Sequence, residues 1–223
     1  VIRNQGNLTV VDALISGGNV GADGGGIYNQ DGVLRVVDST ITGNTAANGG
    51  GGIVNVGFSI AASATLINAS IINNRAGFTG GVFNQGASLT MTNCTIADNE
   101  STTLDPAGDG SGFANVGLAF DTTAALVNCT FNGNRQTSAA TPTADDVYSG
   151  NFGTQSTVTL KNTILGGSAA TATPNLRTFA GGIITSLGNN LSSDAGAGVL
   201  TGPGDLINTN PLLAPLGNYG GPT

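Results

Sequence analysis

Histidine and tryptophan are missing from this 223-residue chain, and basic residues nearly so: Lys and Arg number 6 against 13 Asp and Glu, a net charge of −7. Without imidazole there is no histidine general base, no Ser-His-Asp triad and no histidine-ligated metal. The two cysteines are too few for a structural zinc site. So few cations leave no positive stripe for nucleic acid. No apolar run approaches the roughly 18 residues of a membrane-spanning helix. No basic-then-apolar leader opens the chain, so no membrane insertion is expected of this segment. Charged residues make up only 9%, a value that would suit disorder, yet 39% are hydrophobic and recur in register, as a packed core requires. Glycine is plentiful at 37 residues, without the every-third spacing of collagen.

What the chain does have is one phrase written repeatedly. Gly25-Gly26-Ile27-Tyr28-Asn29 returns as Gly51-Gly52-Ile53-Val54-Asn55, as Gly80-Gly81-Val82-Phe83-Asn84 and, altered, as Ser111-Gly112-Phe113-Ala114-Asn115. A second phrase follows each: Val37-Asp38-Ser39-Thr40-Ile41, Ile67-Asn68-Ala69-Ser70-Ile71, Thr92-Asn93-Cys94-Thr95-Ile96 and Val127-Asn128-Cys129-Thr130-Phe131. A period of about 25 to 35 residues is the mark of stacked repeats. Aligning on Asp12, Asp38, Asn68, Asn93, Asn128 and Asn162 places Leu8, Leu34, Ala64, Leu89, Ala124 and Val158 four residues upstream. Val10, Val36, Leu66, Met91, Leu126 and Leu160 lie two upstream, with Thr9, Arg35, Thr65, Thr90, Ala125 and Thr159 between. That alternation is a strand with one buried face. The Gly-Ile-Tyr-Asn phrase makes a second short strand and Thr40-Ile41-Thr42 a third.

Three short strands per repeat, without helical periodicity, predict an all-β fold: a single-stranded right-handed parallel β-helix of about six to seven coils over 1–186. A loop inserted near 137–146 and an irregular terminal segment at 187–223 complete the expected organisation. Equivalent residues should stack in rows about 4.8 Å apart. Ala13, Ser39, Ala69, Cys94 and Cys129 form a small column suited to a tight inward corner. Asn44, Asn74, Asn99 and Asn134 form one polar row; Asn68, Asn93 and Asn128 form another, in turns that Asn tolerates. The chain opens in mid-phrase, since Ile2-Arg3-Asn4-Gln5-Gly6 matches Val82-Phe83-Asn84-Gln85-Gly86 without its leading glycines. It is therefore expected to be a piece of something longer.

These phrases resemble the repeats of bacterial right-handed β-helix surface proteins. The tail is more specific: Thr185-Ser186-Leu187-Gly188-Asn189-Asn190-Leu191, Leu200-Thr201-Gly202-Pro203-Gly204-Asp205-Leu206, Asn210-Pro211-Leu212-Leu213 and Gly220-Gly221-Pro222-Thr223. In that order they resemble the choice-of-anchor Q family. The resemblance implies a secreted or surface-displayed protein with a C-terminal sorting anchor. It carries over no catalytic residue.

Each candidate site has a structural competitor. Asp12 and Asp38 share a column at a separation suited to a retaining carboxylate pair, but the column continues in Asn and reads as a turn ladder. Asp145 and Asp146 beside the inserted loop are a better candidate pair. Asp105, Asp109 and Asp121 flank a glycine-rich stretch and could hold calcium through hard oxygens; no other cofactor is expected. Cys94 and Cys129 stack on adjacent coils, either as a disulfide or as two inert thiols. Arg75, Glu100 and Arg135 alternate in sign along one row, an ion-pair ladder. Thr9, Thr65, Thr90 and Thr159 make a partial outward row that an ice-binding surface would need unbroken. Sequons such as Asn68-Ala69-Ser70 follow from the repeat itself.

The expected function is a non-catalytic extracellular structural protein, such as a fibre subunit, stalk, surface-layer component or adhesin. End-to-end self-association is expected, with residues near 1–30 meeting residues near 187–223 of a neighbour, and surface polysaccharide is a candidate partner. The rivals are a polysaccharide lyase or hydrolase and a carbohydrate-binding module, both disfavoured by an aromatic content of 5%.

Overall fold

The computed structural model describes residues 1–103, 110–137, 144–167 and 173–214. The chain winds into a β-solenoid whose neighbouring strands pair in parallel, coil upon coil. The first sheet stacks seven strands: Ile2–Asn4, Ile27–Gln30, Ile53–Val56, Val82–Gln85, Phe113–Gly117, Val147–Asn151 and Leu176–Phe179. The second stacks Asn7–Val11, Val33–Val37, Ala62–Ile67, Ala87–Thr92, Thr122–Val127, Ser156–Lys161 and Ile183–Ser186. The third runs from Leu14–Ser16 through Thr40–Thr42, Ser70–Ile72, Thr95–Ala97, Thr130–Asn132 and Ile164–Leu165 to Leu191–Ser192.

A fourth sheet corrects the three-strand expectation. Asn19–Val20, Thr45–Ala46, Arg75–Ala76, Glu100–Ser101 and Arg135–Gln136 pair in their own row. Each is two residues long, with an outward polar side chain and, apart from the half-buried Val20, a small or polar inward one, so no apolar pattern announces it. Two boundaries also move. Leu191–Ser192 is the last strand of the third sheet, so the array continues past Ser186. Ala144, Asp145 and Asp146, expected in the inserted loop, are hydrogen-bonded through their backbones to Ser111, Gly112 and Phe113 of the coil before; 138–143 lie outside the described residues.

The registered columns stack as expected. Ile27 pairs with Ile53, Ile53 with Val82 and Val82 with Phe113, all fully buried. They meet Leu34, Leu66, Met91 and Leu126 of the second sheet and Ile41, Ile71, Ile96 and Phe131 of the third in one continuous core. The paired glycines exist because the chain turns tightly against the next coil. A Cβ on Gly52 would sit 2.8 Å from Ile71 Cγ2 and 2.9 Å from Gly81 O, closer than any real side chain tolerates.

The outer face of the first sheet is also covered. Tyr28, Val54 and Val56 are buried there against Phe83, and Ala114, Val116 and Tyr148 form a second cluster with Ala144 and Phe152. Phe78 meets Phe83 edge-on at 5.3 Å, and the Arg3 guanidinium lies 4.9 Å from the Tyr28 ring centre. No helix among the described residues is long and apolar enough to cross a membrane.

At the far end, the tail closes the core. Val199 and Leu200 pack against it, and Leu206 forms a parallel bridge with Leu191. The Asp205 carboxylate ties this segment down, accepting Ser186 Oγ at 2.5 Å, the Asn190 and Gly202 N–H groups at 2.8 Å each, and Asn190 Nδ2 at 3.2 Å. Partial burial works against its charge, but these donors outweigh it and hold the carboxyl below its usual range.

The small column gives a direct test of this packing. Ala69 is buried between Ser39 and Cys94 in neighbouring coils, with core on its inner side. Ala69→Leu should destabilise the fold by about 1 to 3 kcal/mol through overpacking, read as a lower midpoint in denaturant unfolding.

Candidate functional site

The polar side chains of the solenoid are organised first by the turns. Asp12, Asp38, Asn68, Asn93, Asn128, Asn162 and Asn189 all adopt left-handed backbone conformations, with φ between 47° and 57°. Asn and Asp hold that conformation more readily than other side chains. Their side chains form a ladder outside the core: Asn162 Nδ2 donates to Asn128 at 3.0 Å, Asn128 to Asn93 at 3.1 Å, Asn93 to Asn68 at 3.2 Å and Asn68 to Asp38 at 2.8 Å. Asp38 is thus the acceptor that ends a turn ladder, and Asp12 occupies the same turn one coil earlier.

A second ladder is buried. Asn44 Nδ2 donates to Asn74 Oδ1 at 3.0 Å, Asn74 to Asn99 at 3.1 Å and Asn99 to Asn134 at 3.0 Å. Each amide also donates to the backbone of the preceding coil, as Asn99 Nδ2 does to Ile71 O at 2.9 Å, and each Oδ1 accepts a backbone N–H. A third ladder was not foreseen: Asn4, Asn29, Asn55, Asn84 and Asn115 bond in series at 2.6 to 2.8 Å, ending on Ser156 Oγ at 2.9 Å. Its signal was the invariant Asn closing each Gly-Gly-Ile-x-Asn phrase.

Asp146 ends the second ladder. Its Oδ1 accepts Asn134 Nδ2 at 3.1 Å and its Oδ2 accepts Gly167 N–H at 2.9 Å. The place is made by an exchange of residues. In earlier coils a glycine faces the ladder Asn, and a Cβ on Gly112 would lie 3.0 Å from Asn134 Nδ2. In register, Gly166 and Gly167 follow Asn132 and Gly133, the residue after them lies outside the described residues, and Asp146, standing where glycine stood, reaches the Asn134 amide. Burial, with help from Asp145 and Asp194, pushes the Asp146 carboxyl up to about 7 against the pull of its two donors.

A concavity of about 760 Å³ opens nearby between the last coils and the tail. Gly133, Gly166 and Gly167 line one side, Asn210 to Leu213 the other, with Asn175 and Asp194 between. Asp194 is already engaged: Oδ1 accepts Ser192 Oγ at 2.6 Å and Gly196 N–H at 2.8 Å, and Oδ2 accepts Asn175 N–H at 2.8 Å. The expected pair Asp145 and Asp146 is fully buried rather than presented to this cleft.

The remaining candidates fall into structural places. Asp121 accepts the Gln155 N–H at 2.9 Å in a turn, while Asp105 and Asp109 lie outside the described residues. Among the described residues no group of three or more acidic, Cys or His side chains is arranged to hold a metal ion. Cys94 and Cys129 stack as expected, as separate buried thiols and not as a disulfide. Glu100 bridges Arg75 at 3.3 Å and Arg135 at 2.7 Å, an exposed pairing worth about 1 kcal/mol or less. The threonine row runs Thr9, Arg35, Thr65, Thr90, Ala125, Thr159, Thr185, interrupted twice.

One surface feature went unread. The turns between the first and second sheets carry Phe58, Ile60, Leu118, Phe120 and Phe152, and Phe179 at the end of the last first-sheet strand stacks on Phe152 at 5.5 Å. The turns differ in length, so no fixed spacing marks these residues in sequence. Asp31 shapes one of them, its Oδ1 accepting the N–H groups of Phe58, Ser59 and Ile60 at 2.7, 3.0 and 3.4 Å. Comparison with protein-family models, with curated proteins and with solved structures returns no match for this chain.

Two substitutions test the ladder. Asn99→Asp keeps size but turns a donor into an acceptor facing Ile71 O and Asn134 Oδ1; a loss of about 3 kcal/mol or more is expected in equilibrium unfolding. Asp146 has the opposite pH signature to a surface carboxylate. Its folded-state pKa is raised, so ionisation is costlier in the folded than in the unfolded chain. Stability should fall between pH 4 and 7, by up to roughly 1.4 kcal/mol per pH unit, and level off above. Asp146→Asn should remove that slope when the two unfolding curves are compared across pH 4 to 8.

Proposed function

We propose that this chain is the non-catalytic structural body of an extracellular surface protein: a stalk, a fibre or surface-layer subunit, or an adhesin scaffold. The observation that carries this reading is the fate of its polar side chains. Carboxylates, oriented by neighbouring amides, are the residues from which a histidine-free β-solenoid would build an acid–base site. Here most of these side chains donate and accept along the coil axis or bond turn backbone, and Asn175 and Asp194, which line the concavity beside the tail, are held by hydrogen bonds within the chain. Asp38 terminates a ladder, Asp146 is sealed in the core, and Asp194 and Asp205 clasp the tail. The resemblance of the tail phrases to choice-of-anchor Q proteins supports a surface location in the same direction.

Self-association fits this role in a modified form. The tail covers its own end of the core through Val199 and Leu200. A neighbour meeting residues near 187–214 would therefore dock on the outside of that cap, not on bare core. The apolar side chains from Phe58 to Phe179 at the turns between the first and second sheets offer a lateral contact between solenoids in addition to an end-on one.

The catalytic alternative makes the test. Incubated with a panel of acidic and neutral polysaccharides, the protein should release neither reducing ends nor unsaturated products above background. Activity that disappeared in Asp38→Asn, Asp145→Asn or Asp194→Asn would overturn the structural reading and place the site at that residue.

A further inference from the structure

Cys94 and Cys129 occupy the same register position of neighbouring coils. Thr92 pairs with Val127 before them and Thr95 with Thr130 after them, and the Thr130 N–H donates to Cys94 O at 2.9 Å. Parallel neighbours stand about 4.8 Å apart, inside the span of about 4.4 to 6.8 Å between Cα atoms that disulfides bridge. Both residues are 1% exposed. They also share one pose. Cys94 Sγ lies 3.3 Å from Thr92 O and 3.5 Å from Leu66 O, and Cys129 Sγ lies 3.4 Å from Val127 O and 3.6 Å from Met91 O.

Packing alone does not call for sulfur here. The same column holds Ala13, Ser39 and Ala69 in earlier coils, so a small side chain of any kind fills it. Two consecutive thiols bring something Ala and Ser lack, which is the capacity to bond to each other. Their hydrogen bond, with burial adding to it for Cys129, holds the Cys129 thiol far above the ordinary range, while the same bond lowers Cys94. The folded dithiol is thus a poor nucleophile at one sulfur and shielded at both.

We propose that Cys94 and Cys129 are a modification site, closing into a disulfide that staples neighbouring coils, and that they do so before the coils are sealed. The oxidant is a disulfide, either a small-molecule one or that of an oxidoreductase. One cysteine thiolate attacks a sulfur of the donor, the donor S–S bond breaks, and one donor thiolate leaves. The second cysteine thiolate then attacks the mixed disulfide at the protein sulfur and expels the other donor thiolate. Two S–H groups are lost from the chain, their protons pass to solvent, and the donor disulfide is reduced to two thiols. The mixed disulfide has no room in the sealed column, which sets the order: exchange first, closure after. The cellular compartment decides only whether the donor is present.

The experiment starts from the full 223-residue chain, unfolded and reduced. It is refolded in a mixture of reduced and oxidised glutathione, and in parallel with reductant alone. The redox mixture should yield protein lighter by two hydrogens, with the peptides containing Cys94 and Cys129 joined on a non-reducing map. Its guanidinium unfolding midpoint should lie above that of the reduced form. A C94A/C129A double variant, with the residue that Ala13 and Ala69 already place in this column, should fold and show one midpoint in both buffers. Two alkylatable thiols after refolding in the mixture, glutathione adducts in place of the link, or a linked protein no harder to unfold than the reduced one would each overturn the proposal.

Discussion

Everything in this molecule answers to one constraint: each residue is copied onto the same place one coil further on, about 4.8 Å away. A column must therefore be compatible with itself. Isoleucine on isoleucine is, and so is asparagine on asparagine, because an amide carries both a donor and an acceptor. A charge on a like charge is not, costing about 1 kcal/mol at this range even in water and more where water is excluded. That accounts for a composition with 9% charged residues better than any requirement of solubility does. Arg75, Glu100 and Arg135 stack with alternating sign. The like pair Asp12 and Asp38 stands at the end of its Asn column, on the solvent side, and Asp146 meets the end of another from the facing glycine column.

The amide ladders have a direction, and direction demands terminators. In both buried ladders the side chain of one coil donates to the next coil toward the C-terminus. The last amide must find an acceptor that asks for nothing in return, or its proton is orphaned in the core at a cost of about 1 to 3 kcal/mol. Asp146 meets that need for one ladder, and the Ser156 hydroxyl, which passes its own proton to Asn115 O at 2.9 Å, meets it for the other. The outer ladder runs the opposite way and is closed by Asp38 at its other end. A carboxylate inside a solenoid is here part of the hydrogen-bond grammar, which is why acidic residues in such a fold are poor guides to chemistry.

The legible part of the fold was whatever repeats by type. The Ile and Leu columns, the small corner column, the Asn rows and the alternating ion pairs could all be placed in register from sequence. The fourth sheet could not, because strands as short as Arg75–Ala76 and Glu100–Ser101 bury one small side chain each and leave no periodic trace. The outer cover on the first sheet was invisible for a different reason. Tyr28, Val54 and Tyr148 look like outward positions by alternation, and it is their packing with Phe83, Ala144 and Phe152, which no alternation announces, that makes them a second core. Asp145 and Asp146 were misplaced because the clue lay in one change, glycine to acid in the column that faces the ladder Asn. That change means nothing without the register that sets Asp146 against Asn134.

Direction also bears on how such a body would serve the surface role proposed for it. The two buried ladders hand their protons toward the C-terminal end, which makes the two faces of a coil chemically unlike in the core. One face offers amide oxygens that accept, as Asn4 Oδ1 accepts the Gly6 N–H and Asn44 Oδ1 the Gly18 N–H; the other offers amide protons that must be received. Coil-on-coil growth therefore adds in a single sense, and a coil inverted onto its neighbour would set donor against donor. Asp146 ends one of these series and the Ser156 hydroxyl the other, and the tail then covers the core mechanically through Val199 and Leu200. A solenoid so terminated can be extended on its accepting face without disturbing the closed one. That asymmetry is what a stalk needs if one end is to be held and the other is to be finished.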